Sequence, residues 1–375
     1  MMSPQQFKDS YFPELRQRIW LACCSIAPAS TVLDRCLNSM MQSSTGEALP
    51  WHYFEEKVTE LRQGIATLIN AKPEQIALLP NASVCAYQIA TTANCQTLLY
   101  SNDEFPSVAN VWQAQAHHGV VVEHCTTEEI RQRLASPHKP ELISVPAVSY
   151  LSGKRLPIEE ITALSQQHGV RIAIDAYQML GIEAIDVAAL NCDFLFGGFM
   201  KYMLGQPGLA FVYVKKPERI SDPALTGWFG RKNPFDFDAH HLDYATDAAK
   251  LETGTLAIPS VFAACAALEK MQNMPADDAG EHIQRLLSYL AEKLLAQREQ
   301  LYEYVAGQKH GAHLAIVDET PVRLAAFLQE RGIVTSPRSR VLRIAVHYFI
   351  QQADIDFFCE QLLIYRNRER GTDCG

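Results

Sequence analysis

An aspartate and a lysine follow neighbouring apolar segments and are the residues best suited to chemistry. Asp175 comes directly after the apolar residues 172–174, and Lys201 follows the apolar residues 194–196 after two glycines. In open α/β sheets, ligands collect at the carboxyl ends of the strands. If both segments are strands of one sheet, the carboxylate and the amine converge on one ligand.

The surroundings of Lys201 favour an amine with a lowered pKa. Phe199, Met200 and Tyr202 flank it, and partial desolvation of a lysine makes its amine a better nucleophile toward an aldehyde. A cofactor with an aldehyde and a pyridine ring needs such a lysine for a Schiff base, and it needs a carboxylate that keeps the ring nitrogen protonated. Taken singly, Lys201 could be an ordinary loop lysine, and Asp175 a helix N-cap or an ion-pair partner.

Strands and helices alternate from residue 75 to residue 214, which predicts βαβ units and a mainly parallel sheet flanked by helices. The apolar runs predict strands at 75–79, 97–101, 120–124, 142–148, 172–174, 194–196 and 209–214. Helices are predicted between them at 81–93, 106–117, 128–135 and 157–168. The fold class is therefore α/β.

The segments on either side of this alternation have less regular patterns. Prolines break residues 1–53, which predicts an irregular arm with one helix at 30–42, and a helical pattern follows at 54–70. Residues 217–257 form a long aromatic segment without a period. A loop of that length in a compact domain is usually functional or disordered.

The C-terminal part predicts a smaller α+β domain. A helix at 259–271 precedes three further helices alternating with two strands. We place the N-terminal arm and the large domain in residues 1–257, and the small C-terminal domain in residues 258–375.

Composition and charge exclude several classes of protein. The 375 residues carry a net charge of −9 without a block of basic residues, which argues against nucleic-acid and anionic-membrane partners. No apolar run reaches the roughly 18 residues of a membrane span, and the N-terminus lacks a signal-peptide layout. The ten cysteines are scattered without a CxxC pair and are expected to be reduced. We expect a soluble, cytoplasmic protein.

Other catalytic signatures are missing from the sequence. It contains no GxSxG, HExxH or GxxxxGK motif and no glycine-rich dinucleotide fingerprint. His117-His118 and His240-His241 are adjacent pairs whose side chains point apart on a helix or a strand, so we predict no metal site.

The segments around Asp175 and Lys201 match a family of enzymes. Asp175 opens an Asp-x-x-Gln-x-x-Gly pattern with Gln178 and Gly181, and Lys201 precedes a Gly-x-Pro-Gly turn at 205–208. The other matching segments are LLPNAS (78–83), DEFPS (103–107), VSYLSG (148–153), GWFG (227–230), ETGT (252–255) and LRIAVH (342–347). Over most of its length the chain resembles the fold-type I enzymes of the class V aminotransferase family, which depend on pyridoxal 5'-phosphate (PLP). These include kynureninases, cysteine desulfurases and isopenicillin N epimerases, and the resemblance implies their PLP-dependent transferase fold.

The resemblance implies roles around the cofactor. Lys201 would form the Schiff base, Asp175 would pair with the pyridinium nitrogen, and Gln178 would hydrogen-bond the phenolic oxygen. Ala82 and Ser83 would offer the phosphate a backbone amide and a hydroxyl at a helix N-terminus, where anions are favoured.

Five further residues receive roles in the same way. Phe105 would stack on the ring, and Tyr150 would lie near the cofactor oxygen and the substrate. Thr255 would reach the phosphate of the neighbouring subunit, and Trp228 would lie beside that same phosphate, which implies a homodimer with shared active sites. Arg343 would hold the substrate α-carboxylate, since a guanidinium matches a carboxylate bidentately. Without the resemblance, each could be an ordinary core, loop or ion-pair residue.

Two departures from the family pattern narrow the expected chemistry. Phe199-Met200 replace the Ser-His or the phosphate-binding tyrosine of relatives, so we expect the phosphate to depend on Ser83 and on Thr255 of the neighbouring subunit. Residues 332–340 contain no cysteine, so a desulfurase that forms a persulfide is not expected.

The predicted function is therefore a PLP-dependent reaction on an amino acid. It would be a transamination or a kynureninase-like cleavage of the side chain. An epimerase of the same family and a non-catalytic PLP-binding homologue are the alternatives.

Overall fold

The computed structural model of the chain describes residues 2–46, 50–274 and 276–372. The strands are β1 (Ile19–Trp20), β2 (Ile76–Leu79), β3 (Thr97–Ser101), β4 (Val121–Cys125), β5 (Leu142–Pro146), β6 (Arg171–Asp175), β7 (Phe194–Gly198), β8 (Ala210–Val214), β9 (His313–Val317), β10 (Ile333–Val334), β11 (Ser336–Arg338) and β12 (Val341–Ala345). The helices are α1 (Pro4–Tyr11), α2 (Thr31–Ser43), α3 (Trp51–Leu68), α4 (Ala82–Thr92), α5 (Pro106–Ala114), α6 (Ile130–Leu134), α7 (Ile158–Gln167), α8 (Val187–Leu190), α9 (Ile258–Gln272), α10 (Ala276–Ala296), α11 (Pro321–Gln329) and α12 (Gln352–Thr372).

A seven-stranded sheet in the order β2-β8-β7-β6-β5-β3-β4 forms the centre of the large domain. The pairs from β7 to β4 are parallel, and β8 runs antiparallel to both of its neighbours. All seven predicted strands are present, with ends that differ by at most two residues. The predicted α/β fold with a mainly parallel sheet is confirmed.

Both faces of this sheet are covered, which is why its central strands are apolar without alternation. Successive side chains of β6 enter different cores: Ile172 and Ile174 pack on the face covered by α3, α7 and α9, and Ala173 packs on the opposite face. On that opposite face lie buried side chains of α4 and α5. The sheet edge that carries Asp175 is therefore held between two packed layers.

The C-terminal elements form a second layer structure. Strands β9, β11 and β12 form an antiparallel sheet in the order β11-β12-β9, which shares a core with α10, α11 and α12. The packing crosses the predicted domain boundary in both directions. Helix α9 buries its apolar face under the large sheet, whereas the N-terminal arm packs with the C-terminal elements. The boundary between 257 and 258 stays a prediction.

The N-terminal arm has more structure than its prolines predicted. Helix α1 begins with a capping box in which Ser3 and Gln6 exchange hydrogen bonds, and β1 pairs with β10 in parallel. The aromatic segment 217–257, by contrast, contains only short 3-10 turns as helical structure. Within the described ranges, the helices are too short or too polar to span a membrane.

Candidate active site

A cavity of about 280 Å³ lies where the carboxyl ends of β6 and β7 meet the N-terminus of α4 and the β11–β12 hairpin. It is lined by eight of the ten predicted site residues: Ala82, Ser83, Phe105, Tyr150, Asp175, Gln178, Lys201 and Arg343. Trp228 and Thr255 do not line it in this chain. The cavity thus lies at the strand ends at which the sequence analysis expected the carboxylate and the amine.

Lys201 is buried between two aromatic rings. Its side chain is 7% exposed, and Nζ lies 4.6 Å from the ring centroid of Tyr177 and 5.3 Å from that of Phe105. Burial lowers the pKa of Lys201 to about 8, and the negative charge of Asp175 only partly offsets this effect. A substantial fraction of the amine is therefore neutral near physiological pH and able to act as a nucleophile or a base.

The loop that carries Lys201 is closed by its own backbone. The amide of Leu204 donates to the carbonyl of Lys201 at 3.0 Å, and the amide of Gly205 donates to that of Phe199 at 2.7 Å. Phe199 is buried in the core below the sheet, whereas Met200 lines the cavity. An apolar Phe199 is therefore explained by packing.

Asp175 ends β6 with one oxygen engaged by the backbone. The amide of Tyr177 donates to Oδ1 at 2.8 Å, and no α-helix begins at this position. Burial raises the pKa of Asp175 to about 6, against the lowering effects of that hydrogen bond and of the Lys201 charge. In the described part of the chain, no cation lies within ion-pair distance of Asp175, so a protonated ring nitrogen would supply the missing partner.

Gln178 links the cavity to the N-terminal arm. Its Nε2 donates to the carbonyl of Cys24 at 3.0 Å, which leaves the second N–H of the same amide available to a ligand oxygen. Its Oε1 is buried without a hydrogen-bond partner among the described residues. A buried amide with unused hydrogen-bonding capacity is typical of a ligand site.

The N-terminus of α4 lines the cavity, where its amides are suited to bind an anion. Asn81 caps this helix, its Oδ1 accepting from the amide of Val84 at 3.1 Å. The Ser83 hydroxyl is therefore not used as the cap. Together with the first amides of the helix, at Ala82 and Ser83, it is suited to hold a phosphate.

Arg343 is a buried cation whose hydrogen bonds are incomplete. It is 2% exposed, and it donates to the Tyr150 carbonyl at 2.8 Å and to the Ser336 hydroxyl at 2.6 Å. Its Nε is buried without a partner, and no carboxylate pairs with it among the described residues. Because an unneutralised buried charge is costly, this position favours an anionic ligand.

The two predicted residues outside the cavity contact each other. Trp228 Nε1 donates to the Thr255 hydroxyl at 3.2 Å, and the indole packs edge-on against Trp51. It also contacts the half-buried or exposed rings of Phe235 and Phe237. Their predicted contact with a phosphate of a neighbouring subunit stays a prediction.

Tyr177 and Arg338 are among the cavity residues that the sequence analysis did not assign. Tyr177 stands inside the Asp-x-x-Gln pattern, and its ring occupies the space that a side chain at Gly198 would need; an aromatic residue two positions after the acid was the available signal. Arg338 lines the cavity from β11. The sequence gives no sign of this, because the position depends on a hairpin distant in the chain.

The comparisons with known proteins show the family of this chain. The aminotransferase class-V family model matches residues 32–353, so the chain belongs to the class V aminotransferase family. It is 31% identical over 359 residues to the uncharacterized aminotransferase YcbU of Bacillus subtilis, covering 92% of this chain and 94% of that protein. It is 26% identical over 323 residues to the kynureninase of Geobacillus thermodenitrificans, covering 79% and 74%. The predicted resemblance is confirmed.

Solved structures agree on the fold. The apo cysteine desulfurase of Thermococcus onnurineus superposes with a TM-score of 0.86 at 16% identity, covering 97% of this chain and 98% of that one. The cystine C-S lyase C-DES, in complex with cysteine persulfide, gives a TM-score of 0.83 at 18% identity, covering 94% and 99%. At this identity they define the PLP-dependent fold alone.

Membership of the family makes this chain a PLP-dependent enzyme, and the cavity fits the cofactor. Arg343 Nε is a buried donor without a partner, and Gln178 has a buried Oε1 without a partner. The amine of Lys201 lies over the rings of Phe105 and Tyr177, and the N-terminal amides of α4 are suited to a phosphate.

Proposed function

We propose that this enzyme acts at Cα of an α-amino acid, with Lys201 as the covalent anchor of PLP and as the base that moves the Cα proton. One observation carries this proposal. A buried lysine with a pKa lowered to about 8 shares a cavity with a buried carboxylate, Asp175, and with the unneutralised Arg343. These are the three groups that such a reaction needs: an amine that can act as a base, a carboxylate for the ring nitrogen and a cation for the α-carboxylate.

Each of the cavity residues has a separate role in the proposed reaction. Bound PLP supplies an electron sink for the electron pair left on Cα. Asp175 would keep the proton on the ring nitrogen, and Arg343 would orient the α-carboxylate through its free N–H donors and its charge. Once the amine of the amino acid has displaced it from the cofactor, Lys201 would remove the Cα proton and return a proton, because its pKa lies near the working pH. The rings of Phe105 and Tyr177 keep water from the amine.

Transamination is the first candidate reaction. Its support is the relation to an aminotransferase over nearly the whole chain. Lys201 would then return the proton to the cofactor carbon instead of to Cα.

Kynureninase-like cleavage of the side chain is the second candidate. Kynureninases are similar over more than three quarters of this chain. A cleavage needs a second proton donor near the leaving group, and Tyr150 lines the cavity with its ring packed edge-on against Phe105 at 5.1 Å.

A cytoplasmic homodimer completes the proposal. The cysteines of the described residues are all unpaired, as in a reducing compartment. The cluster of Trp228, Phe235 and Phe237 is partly exposed beside Thr255, which suits a surface covered by a second copy. Light scattering, together with PLP titration across the dissociation range, tests this. A monomer that binds PLP as tightly as the dimer contradicts the shared site.

The decisive experiment compares two buried lysines. Lys270 is buried outside the cavity, where it donates to the Ser30 hydroxyl at 3.0 Å, and its pKa is also lowered to about 8. Lys201→Met should remove the visible absorption band of the covalently held cofactor and all turnover, and Lys270→Met should retain both.

Products of the wild-type enzyme then identify the reaction. A keto acid indicates transamination, alanine with a released side-chain fragment indicates cleavage, and a racemised amino acid indicates epimerisation. A bound cofactor without a response to any amino acid indicates a non-catalytic protein and refutes the proposal.

A further inference from the structure

A second arginine, Arg338, brings a positive charge to the mouth of the cavity. It ends β11, which pairs with β12 so that Ser336 lies opposite Arg343. Because side chains two residues apart on a strand share a face, Arg338 is on the same face of the hairpin as the Ser336–Arg343 pair. Both guanidinium groups line the cavity and lower the pKa of Lys201 by their charge, so both lie within electrostatic reach of the reacting amine.

Arg338 and Arg343 differ in the number of N–H donors that are free to bind a ligand. Arg343 is buried and donates one N–H to the Tyr150 carbonyl and one to the Ser336 hydroxyl, so two of its five N–H donors are used, and Nε has no partner. Arg338 is exposed at the mouth, and its guanidinium makes no hydrogen bond or ion pair with the described residues. Its whole fork of N–H donors is therefore free for a planar anion.

The neighbouring residues show that this freedom is particular to Arg338. Arg340, two residues further along the same hairpin, pairs with Glu319 outside the cavity. Asp103 is the other carboxylate of the cavity besides Asp175, and its Oδ2 is engaged by the Thr127 hydroxyl at 2.8 Å. With Asp175 assigned to the ring nitrogen, Arg338 has no acidic partner in the site.

We propose that Arg338 receives a second anionic group of the substrate, so that the substrate class is an α-amino acid with an acidic side chain. This inference rests on the proposed function: with Lys201 acting at Cα and Arg343 holding the α-carboxylate, the remaining guanidinium faces the substrate side chain. The residues suited to the phosphate are those at the N-terminus of α4, whereas Arg338 comes from β11.

Equilibrium titration of the PLP-loaded protein tests this without turnover. Aspartate is compared with asparagine, and glutamate with glutamine, by the change in absorption of the bound cofactor. The acid of at least one pair should bind about 10- to 150-fold tighter than its amide, the range expected for charge-assisted hydrogen bonds. Arg338→Gln should bring this ratio close to one.

Arg340→Gln is the matched control, because it removes the same charge from the same hairpin outside the cavity. It should leave the ratio unchanged. Since Arg338 is exposed, Arg338→Gln should keep the urea midpoint of the wild type, and Arg338→Lys should retain part of the preference by keeping the charge but not the fork.

Three results would overturn the inference. These are equal binding of acid and amide by the wild type, an unchanged ratio in Arg338→Gln, and a loss of PLP affinity in place of a loss of discrimination. If alanine and other neutral amino acids perturb the cofactor absorption while no acid is preferred, only the role of Arg338 is refuted. If no amino acid perturbs it, the proposed function is refuted and this inference with it.

Discussion

Replacing Lys201 by methionine is expected to stabilise the protein in the absence of PLP, although it removes the amine proposed to hold the cofactor. Burial lowers the pKa of Lys201 from 10.5 to about 8, a shift of roughly 2.5 units. At ~1.36 kcal/mol per unit, holding the charged lysine in the fold costs about 3 kcal/mol. That value includes the contacts of Nζ with the rings of Phe105 and Tyr177, because a pKa shift reports all interactions of the charged form. Lys201→Met should therefore raise the free energy of unfolding by about 3 kcal/mol at pH 7.

The sign of this effect with pH follows from linkage. Because the folded-state pKa is the lower one, the unfolded chain binds more protons between pH 8 and pH 10.5. The cost is therefore present in full below pH 8, decreases through that window and vanishes above it. Urea unfolding of both apoproteins at pH 7 and at pH 10 measures the difference, which should be large at pH 7 and small at pH 10.

Lys270→Met serves as the control for this prediction as well. Burial lowers the pKa of Lys270 to about 8 too, so its replacement should show the same pH dependence without affecting the cofactor. If the Lys201→Met apoprotein is as stable as the wild type at pH 7, or less stable, then burial of the charged Lys201 does not destabilise the fold, and the prediction is refuted.

Asp175, the incorporation of the cofactor and Gly198 provide three more tests. Asp175→Asn keeps the shape but removes the charge beside the ring nitrogen, so exchange of the Cα hydrogen in D2O should slow by about 10²-fold or more; an unchanged rate would contradict the role. Because the pKa of Lys201 is lowered to about 8, the rate of PLP incorporation should rise with pH up to about 8 and then level off, whereas a rise that continues to pH 10.5 would show an ordinary lysine. Gly198→Ala would place a methyl group in the ring of Tyr177, which should cost about 1–3 kcal/mol in urea unfolding and weaken PLP binding; wild-type values of both would contradict this close packing.

The strands of the large sheet could be predicted because each one is a short apolar run that is recognisable from its own sequence. The apolar runs of β5 to β8 are short, uninterrupted and bounded by turn residues, so each strand was found from its own sequence. The antiparallel direction of β8 was not predicted. The loop from Gly198 to Ala210 is too short for the helical crossover that parallel strands need. The length of this loop therefore indicated the antiparallel pairing of β8 with β7.

The convergence of Asp175 and Lys201 could be predicted from spacing, whereas Gln178 was assigned only through the family resemblance. Asp175 and Lys201 stand at the ends of adjacent strands, so their approach to one another is a consequence of β6 and β7 pairing. Arg338 is different, since its place at the cavity depends on the pairing of β11 with β12 and on the docking of that hairpin against the large sheet. Nothing in the local sequence distinguishes it from the solvent-exposed Arg340.

The contribution of the N-terminal arm to the site could not be predicted from the sequence either, because the arm contacts the site through its backbone. The amide of Ala27 donates to the carbonyl of Met200 at 2.7 Å, and the carbonyl of Cys24 accepts from Gln178 at 3.0 Å. A few residues earlier, the carbonyl of Leu21 accepts from the amide of Ala345, at the end of the strand that carries Arg343, at 2.9 Å. Residues 21–27 thus connect the loop of Lys201 to the strand of Arg343. Backbone hydrogen bonds of this kind leave no periodic pattern in the sequence, yet they set how far the proposed base lies from the group that would orient its substrate.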